Sequence, residues 1–255
     1  MAVKSLQVLF LGQDNDMPRR LLAYGAPEGQ LVTTSFLSFL IRTEDKNILF
    51  DAGMHIDVAT HMKAQGRPIS VRQEDCLPVR LKEAAGLTLA DIDMVILSHL
   101  HRDHTGWLGE FPKAEVVCQK DDYAAAAIEP APYCNPLTPQ KQYSERAIQW
   151  RLIEGDQVIL PGLTVFMTPG HSRGHQALLV ELPHSSPVFL VGDAVFDLDC
   201  LAKEIIPGVI DNRMEAVKSL RKIKAIAAVT KAQVFPSHDL GLYRNGMKKP
   251  PEAYT

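Results

Sequence analysis

Short apolar runs separated by polar turns recur along most of the chain, and this pattern indicates strands buried on at least one face. In the first half, the pattern predicts strands at residues 6–11, 35–42, 47–50, 94–97 and 115–118. In the second half, it predicts strands at residues 157–160, 163–168, 175–181, 187–191 and 233–235. The two strand-rich halves suggest two β-sheets rather than one.

Helical signals are fewer. A helix is predicted at residues 78–85, closed by Gly86, and an alanine-rich helix at residues 121–127. A longer helix is predicted from the N-cap Asp211 to about Val229, with every third or fourth residue apolar. Residues 130–139 contain four prolines and are predicted as a loop. Each strand-rich half ends with helices, so we expect two sheets packed face to face with helices outside.

Length and composition narrow the class of protein. The 255 residues can bury one large core, and because no linker or repeat divides them we expect a single domain over residues 1–255. With 46% hydrophobic and 22% charged residues and a formal net charge of −3, the chain shows no bias toward nucleic acid. The apolar run at residues 8–11 is too short for a signal peptide, and no run approaches membrane-spanning length. We therefore expect a cytoplasmic protein with neither a membrane nor a nucleic-acid partner.

Cysteine spacing argues against a thiolate metal site. The four cysteines are scattered and form no CxxC pair; they are Cys76, Cys118, Cys134 and Cys200. They are expected to be free thiols rather than disulfides or zinc ligands.

The strongest chemical signal follows the predicted strand at residues 94–97. There, His99, His101, Asp103 and His104 fall within six residues. Imidazole nitrogen and carboxylate oxygen are the ligands that Zn²⁺ takes when it keeps a position open for water, unlike closed thiolate-rich sites. The cluster therefore predicts a catalytic metal site; the alternative is a surface loop that packs these histidines without metal.

Three more loops at strand ends carry the same residue types. They contain His171 in Thr-Pro-Gly-His-Ser, Asp193 after Val-Gly, and His238 in Ser-His-Asp. Loops at the ends of buried strands present side chains from a rigid frame. If the four loops converge on one face, they can build a centre for two metal ions.

The HxHxDH pattern at residues 99–104, the TPGHS-type loop, the GD loop and the final SHD together resemble the metallo-β-lactamase superfamily, over nearly the whole chain. This resemblance implies an α/β fold, a four-layer αββα sandwich of two mixed β-sheets flanked by helices. It also implies two Zn²⁺ ions, one held by His99, His101 and His171, the other by Asp103, His104 and His238, with Asp193 bridging them. Iron, manganese or cobalt can replace zinc at such N/O ligands.

The same resemblance implies hydrolysis by attack of a metal-bridging hydroxide, with Asp103 as the catalytic residue that passes a proton to the leaving oxygen. His101 stands where redox relatives carry glutamate, and a bridging Asp193 is unlike most true β-lactamases. Residues 168–176 and the short segment 239–255 look most like the N-acyl homoserine lactonase branch. We therefore predict a quorum-quenching lactonase, a metal-dependent ester-bond hydrolase acting on a small-molecule lactone or ester.

Several alternatives stay open. One is a glyoxalase II-like thioesterase, although those enzymes carry a longer C-terminal helical domain; another is a different lactone or ester hydrolase. A degenerate, binding-only member is the non-enzymatic alternative, and the filling of all seven ligand positions argues against it. One departure concerns the substrate: Phe196 stands where lactonases of this branch carry a tyrosine that touches the substrate carbonyl. Whether the protein forms a homodimer is also open.

Other residues are expected to support the site or to pack elsewhere. His175 is predicted to support a ligand or the fold rather than bind metal, and Asp51 and Asp239 either orient ligand imidazoles or cap turns. Trp107 is predicted either to pack in the core or to line the mouth of the pocket. The remaining histidines follow no ligand spacing; they are His55, His61 and His184. We expect the walls of the substrate pocket to be formed by residues 13–34, 54–72 and 130–139.

Overall fold

The computed structural model describes residues 3–128 and 148–255 of the chain. Their strands form two mixed sheets, and helices cover the outer faces, which confirms the expected αββα sandwich. The predicted proline-rich loop at 130–139 and Cys134 lie outside the described residues.

The first sheet consists, within the described residues, of seven strands in the order β4-β1-β2-β3-β5-β6-β7. These strands are β1 (Val3–Pro18), β2 (Leu31–Thr43), β3 (Asn47–Phe50), β4 (Ile69–Ser70), β5 (Met94–Ile96), β6 (Glu115–Gln119) and β7 (Gln149–Ile153). Strand β3 pairs in parallel with β5, and β5 with β6. Because carboxyl ends of parallel strands meet at one edge, Asp51 after β3 and residues 98–104 after β5 lie close together.

The second sheet has five strands among the described residues, in the order β12-β11-β10-β9-β8. They are β8 (Gln157–Leu160), β9 (Leu163–Met167), β10 (Gln176–Val180), β11 (Val188–Gly192) and β12 (Gln233–Pro236). The pair β11 and β12 is parallel. Asp193 and His238, which follow these two strands, therefore lie at the same end of the sheet.

The helices are α1 (Ile56–Ala64), α2 (Leu77–Ala85), α3 (Arg102–Thr105), α4 (Lys120–Ile128), α5 (Leu198–Lys203), α6 (Arg213–Thr230) and α7 (Leu240–Asn245). Apolar side chains of α1, α2 and α4 pack with those from the outer face of the first sheet. Ile223 of α6 packs with Phe189 on the outer face of the second. Every helix in residues 3–128 and 148–255 is too short or too polar to cross a lipid bilayer.

The main core lies between the sheets. Leu6 and Phe39 of the first sheet share a buried cluster with Leu178 and Phe235 of the second, and the rings of Phe39 and Phe235 are 6.4 Å apart. Each such side chain stabilises the fold by roughly 1.5–3 kcal/mol through burial. This packing holds the two sheets, and hence their strand-end loops, in fixed relative positions.

Two sequence-based expectations need correction. The N-cap of α6 is Asn212, whose Oδ1 accepts hydrogen bonds from the backbone N–H groups of Met214 and Glu215. The prediction of Asp211 as the N-cap is therefore wrong. The side chain of Asp211 instead pairs with Arg173 at 3.3 Å. The region 54–72 contains α1, which was not predicted, because only Val58, Ala59 and Met62 of that helix are buried and its apolar pattern is weak.

Candidate metal centre

The structure brings the seven predicted ligand side chains together at one end of the sandwich. They are His99, His101, Asp103, His104, His171, Asp193 and His238. Six of them are buried, whereas the side chain of Asp103 is 24% exposed. The loops after β5, β9, β11 and β12 supply them, as the sequence predicted.

The first group consists of three imidazoles. Nε2 of His171 lies 3.2 Å from Nε2 of His99 and 3.0 Å from Nδ1 of His101. Burial lowers the pKa of His99 and of His101 well below the usual histidine value, and the neighbouring imidazoles lower it further. Both rings are therefore neutral, which is the form that binds a metal ion.

The second group contains one carboxylate and two imidazoles. Oδ2 of Asp103 lies 3.8 Å from Nε2 of His104 and 3.6 Å from Nε2 of His238. Burial lowers the pKa of His104, but the carboxylates of Asp51 and Asp193 outweigh it and raise that pKa well above the usual value. A cation that binds here therefore displaces a proton from His104.

Asp193 lies between the two groups. Its Oδ1 is 3.0 Å from Nε2 of His238 and 3.3 Å from Nε2 of His104, while Oδ2 is 3.4 Å from Nε2 of His171. Burial raises the pKa of Asp193, but the charges of His238 and His104 bring it well below the usual value, so the group is a carboxylate. One oxygen faces each group, which is the arrangement of a bridging ligand.

Hydrogen bonds fix the tautomers of three imidazoles. His171 donates its Nδ1–H to the carbonyl of Val209 at 2.9 Å, and His238 donates its own to the carbonyl of Ser35 at 2.7 Å. His104 Nδ1 lies 2.8 Å from the Asp51 carboxylate. Because carbonyl and carboxylate oxygens only accept, these Nδ1 atoms carry a proton, and Nε2 is the atom that each ring presents to a cation at the centre.

Two unpaired atoms indicate what the centre binds. Nε2 of His104 and Oδ1 of Asp193 are buried and lie within 3.3 Å of each other, yet neither makes a hydrogen bond of good geometry to any described atom. Such groups are costly unless something satisfies them. A divalent metal ion does so with this nitrogen and oxygen donor set. The residues therefore fit a divalent-metal centre.

Asp51 supports the centre from outside it. Its two carboxylate oxygens accept hydrogen bonds from the backbone N–H of Ser98 at 2.7 Å and the hydroxyl of Ser98 at 2.9 Å, besides holding His104. The predicted orienting role is thus confirmed for Asp51. Asp239 takes the other predicted role and caps α7 by accepting the N–H of Leu242 at 2.8 Å.

His175 is also a supporting residue, as predicted. Its Nε2 accepts the backbone N–H of Asp193 at 3.1 Å, and its Nδ1 lies 2.9 Å from the hydroxyl of Thr168. Burial lowers the pKa of His175 to about 3. The ring is therefore neutral near pH 7 and fixes the backbone that carries the bridging carboxylate.

Asp122 of α4 was not predicted. Its carboxylate accepts the backbone N–H of Leu100 at 2.7 Å and of Gly174 at 3.0 Å, and it therefore ties the first ligand loop to the loop of His171. Both donors are main-chain groups, which every residue except proline provides. The sequence consequently carried no spacing signal for this contact.

The remaining histidines and Trp107 lie outside the centre. None of His55, His61 and His184 belongs to a metal-capable group within the described residues. The ring of His55 instead lies 4.3 Å from that of Trp107. Trp107 packs in the core and does not line the cavity beside the centre.

A cavity of about 190 Å³ opens beside the centre. Asp103, Asp193 and His238 line its inner end, and its walls are largely apolar, with Met17, Leu22, Phe36, Met54, Phe196 and Val209 among them. The predicted wall segments 13–34 and 54–72 both contribute, whereas 130–139 lies outside the described residues. The segment with Pro207 and Val209 is an additional wall that the sequence did not indicate.

Comparison with known proteins agrees with this geometry. The sequence model of the metallo-beta-lactamase superfamily matches residues 37–238. The chain is 33% identical over 230 residues to N-acyl homoserine lactonase AttM of Rhizobium radiobacter, covering 85% of this chain and 86% of that protein. It is 30% identical over 219 residues to an N-acyl homoserine lactonase of Bacillus cereus, covering 83% and 84%.

A solved structure extends the likeness to nearly every residue. An N-acyl homoserine lactone hydrolase with the product N-hexanoyl-L-homoserine bound at its catalytic metal centre superimposes with a TM-score of 0.87. It is 27% identical, and the match covers 99% of this chain and 100% of that one. From its motifs, its fold and these relatives, the chain belongs to the metallo-β-lactamase superfamily and groups there with the N-acyl homoserine lactonases.

Proposed function

We propose that this chain is a metal-dependent hydrolase that opens the ring of N-acyl homoserine lactones, with residues 1–255 acting as one hydrolase domain. The observation that carries the proposal is the carboxylate of Asp193 between two histidine groups, at the inner end of an apolar cavity. Relatives that are N-acyl homoserine lactonases support the choice of substrate.

The metals in this proposal are two zinc ions. His99, His101 and His171 would hold one, Asp103, His104 and His238 would hold the other, and Asp193 would be the ligand shared between them. When bound, zinc would supply Lewis-acid chemistry here: it would polarise the lactone carbonyl and lower the pKa of water from about 15.7 toward neutrality, which would provide a hydroxide nucleophile at pH 7. The buried unpaired atoms of His104 and Asp193 support this assignment.

Asp103 is the proposed catalytic acid. It is the most exposed of the seven ligand candidates and lines the cavity, so its carboxylate can face both substrate and the centre. When the ester C–O bond breaks, the ring oxygen leaves as an alkoxide and needs a proton. Asp103 takes up the proton released by the attacking water and transfers it to that oxygen, which gives an alcohol and a carboxylate as products.

The cavity walls suit an acyl chain. Each methylene group buried against Met17, Leu22 or Met54 stabilises the complex by about 0.8 kcal/mol. Phe196 lines the same cavity but has no hydrogen-bond donor for the substrate carbonyl. No tyrosine is found among the described lining residues. In this proposal, bound metal would polarise the carbonyl in place of a tyrosine.

Proton release during hydrolysis tests the function directly. Zinc-loaded protein is mixed with N-hexanoyl homoserine lactone in a pH-stat, with S-acyl glutathione and a chromogenic cephalosporin in parallel. We expect one equivalent of acid per lactone opened, abolished in His101→Ala. Turnover of S-acyl glutathione alone would favour a thioesterase, and inactivity on all three by a protein with two bound metals would overturn the proposal.

A further inference from the structure

An ion pair between two residues outside the seven ligand candidates lies in the wall of the cavity. Asp14 of β1 and Arg67, between α1 and β4, both line this cavity. Nη2 of Arg67 donates to Oδ2 of Asp14 at 2.8 Å. Asp14 is 2% exposed, whereas the side chain of Arg67 is 42% exposed. The guanidinium is thus anchored at its buried side and accessible at the other.

The backbone holds both partners of this pair in place. Asp14 lies in β1 between two paired strands, opposite Thr34 of β2 and Ile69 of β4. Arg67 donates its backbone N–H to Met62 at 3.0 Å, and its carbonyl accepts the N–H of Ile69 at 2.8 Å. Among the described residues, the hydrogen bonds of the guanidinium all run from Nη2. A guanidinium has five N–H donors, so others remain for a ligand.

Most of the cavity wall around Arg67 is apolar, so the polar guanidinium affects which acyl chains bind well. A plain alkyl chain lying along Met17 and Leu22 displaces water from Arg67 and offers no acceptor in exchange, which costs free energy. An acyl chain that carries a carbonyl oxygen offers Arg67 a hydrogen-bond acceptor in place of the displaced water. The side chain of Arg67 is 42% exposed whereas six of the seven ligand candidates are buried, so we place its guanidinium toward the mouth of the cavity, where the acyl chain would run.

We propose that Arg67, oriented by Asp14, is a specificity-determining residue that donates a hydrogen bond to an oxygen on the acyl chain. The preferred substrates are then N-acyl homoserine lactones that carry an oxo group on the acyl chain, and the 3-oxo compounds serve as the test case. This inference rests on the proposed lactonase function. It assigns the ion pair to substrate selection, whereas the metal-binding groups carry the reaction.

The test compares two lactones that differ in one oxygen. kcat and KM are measured for N-(3-oxohexanoyl) and N-hexanoyl homoserine lactone with zinc-loaded wild-type protein and Arg67→Met. We expect the wild type to favour the oxo substrate by about tenfold in kcat/KM, because the partly exposed guanidinium gives the low end of the range for a charged hydrogen bond. Arg67→Met should remove this preference, mainly through KM. Arg42→Met, on an exposed arginine of β2, is the matched control and should keep it.

The outcomes separate this inference from the proposed function. Equal losses on both lactones in Arg67→Met, or a wild type without preference, would overturn the inference while lactone opening stands. Failure of the wild type on both substrates would instead count against the lactonase function itself.

Asp14 has its own test as the positioning residue. Asp14→Asn keeps an oxygen acceptor for Arg67 but removes the charge, so the oxo preference should fall only partly. Asp14→Ala should behave like Arg67→Met in the ratio of the two substrates. Full preference in both Asp14 variants would show that Arg67 acts without this partner.

Discussion

The phenyl ring of Phe196 lies nearly parallel to the imidazole of His238, with 5.3 Å between ring centroids and 12° between planes. The carbonyl of Ser35 holds the same imidazole through Nδ1. His238 is therefore fixed by packing on one face and by a hydrogen bond at its edge. Phe196, which departs from the tyrosine expected in lactonases, contributes through contact rather than through a polar group.

Replacing Phe196 by alanine should weaken metal binding at the group that contains His238. The imidazole of His238 loses the ring that stacks on it. Loss of a contact that orients a metal ligand typically lowers metal affinity by about 10-fold or more. The cavity left by a buried phenyl ring should also lower the free energy of unfolding by about 3 kcal/mol. Competition with a chelator and urea denaturation measure the two effects.

Phe166→Ala is the control for Phe196→Ala. Phe166 is half-buried and contacts Phe189, on the outer face of the second sheet. Its removal should reduce stability without changing metal affinity. Equal metal affinity in both variants would mean that the stacking on His238 has no orienting role.

Asp51→Asn should reduce metal affinity or activity by about 10- to 100-fold, because the amide cannot accept all the hydrogen bonds from His104 and Ser98 that the carboxylate accepts. Asp239→Asn makes the same chemical change in a residue that caps α7. Asparagine is as good an N-cap as aspartate, so that variant should retain its metals. Metal content after dialysis distinguishes them; a similar loss in both would contradict an orienting role specific to Asp51.

Gly170→Ala should destabilise the loop of His171. Gly170 has φ +133°, and a Cβ there would collide with the backbone N and Cα of Ala216 in α6. Gly155 also has a positive φ, +72°, but no heavy atom lies within 4 Å of its Cβ position. Gly155→Ala should therefore lower the free energy of unfolding only by the conformational cost of about 1 kcal/mol. Gly170→Ala should lower it clearly more and should also reduce the bound metal content. Equal urea midpoints would refute the steric argument.

Asp75 should make stability depend on pH. Burial raises the pKa of this carboxyl, but hydrogen bonds from Arg72 and Arg80 outweigh it and leave the pKa below its usual value. A folded-state pKa below the unfolded one stabilises the protein above the unfolded value, about 3.9, and this stabilisation is lost as pH falls through the folded value. We expect Asp75→Asn to cost about 2 kcal/mol at pH 7.

That cost should shrink as the pH is lowered below about 4, in urea titrations of both proteins. Glu74→Gln is the control, because Glu74 is 52% exposed and its pair with Arg72 should contribute little at any pH. A cost for Asp75→Asn that stayed constant with pH would assign the effect to packing rather than to charge.

The ligand candidates were predictable because their signal is local. Each lies in the loop that follows a strand, and parallel pairing such as β11 with β12 brings strand ends to one edge. Residue chemistry then indicates what those loops bind. The same reasoning identified His175 as a supporting residue, although its contact with the backbone of Asp193 appears only in three dimensions.

Contacts that depend on distant backbone were not predictable. Asp122 reaches Gly174 across 52 residues, and Arg67 reaches Asp14 across 53. The polar end of β1 is a strand because β2 and β4 pair with it, not because its side chains alternate. The periodicity of apolar residues shows which face of a strand or helix is buried. It does not show which distant segment packs against that face, and these contacts depend on that segment.

Val209 combines two tasks in separate parts of one residue. Its carbonyl accepts the hydrogen bond from Nδ1–H of His171, whereas its side chain lines the cavity. A carbonyl is common to all amino acids, so exchange of this side chain leaves the hydrogen bond in place as long as the backbone conformation persists. Laboratory evolution at position 209 can therefore diversify the range of acyl chains while the chemistry is retained, and insertions or deletions around it should be avoided.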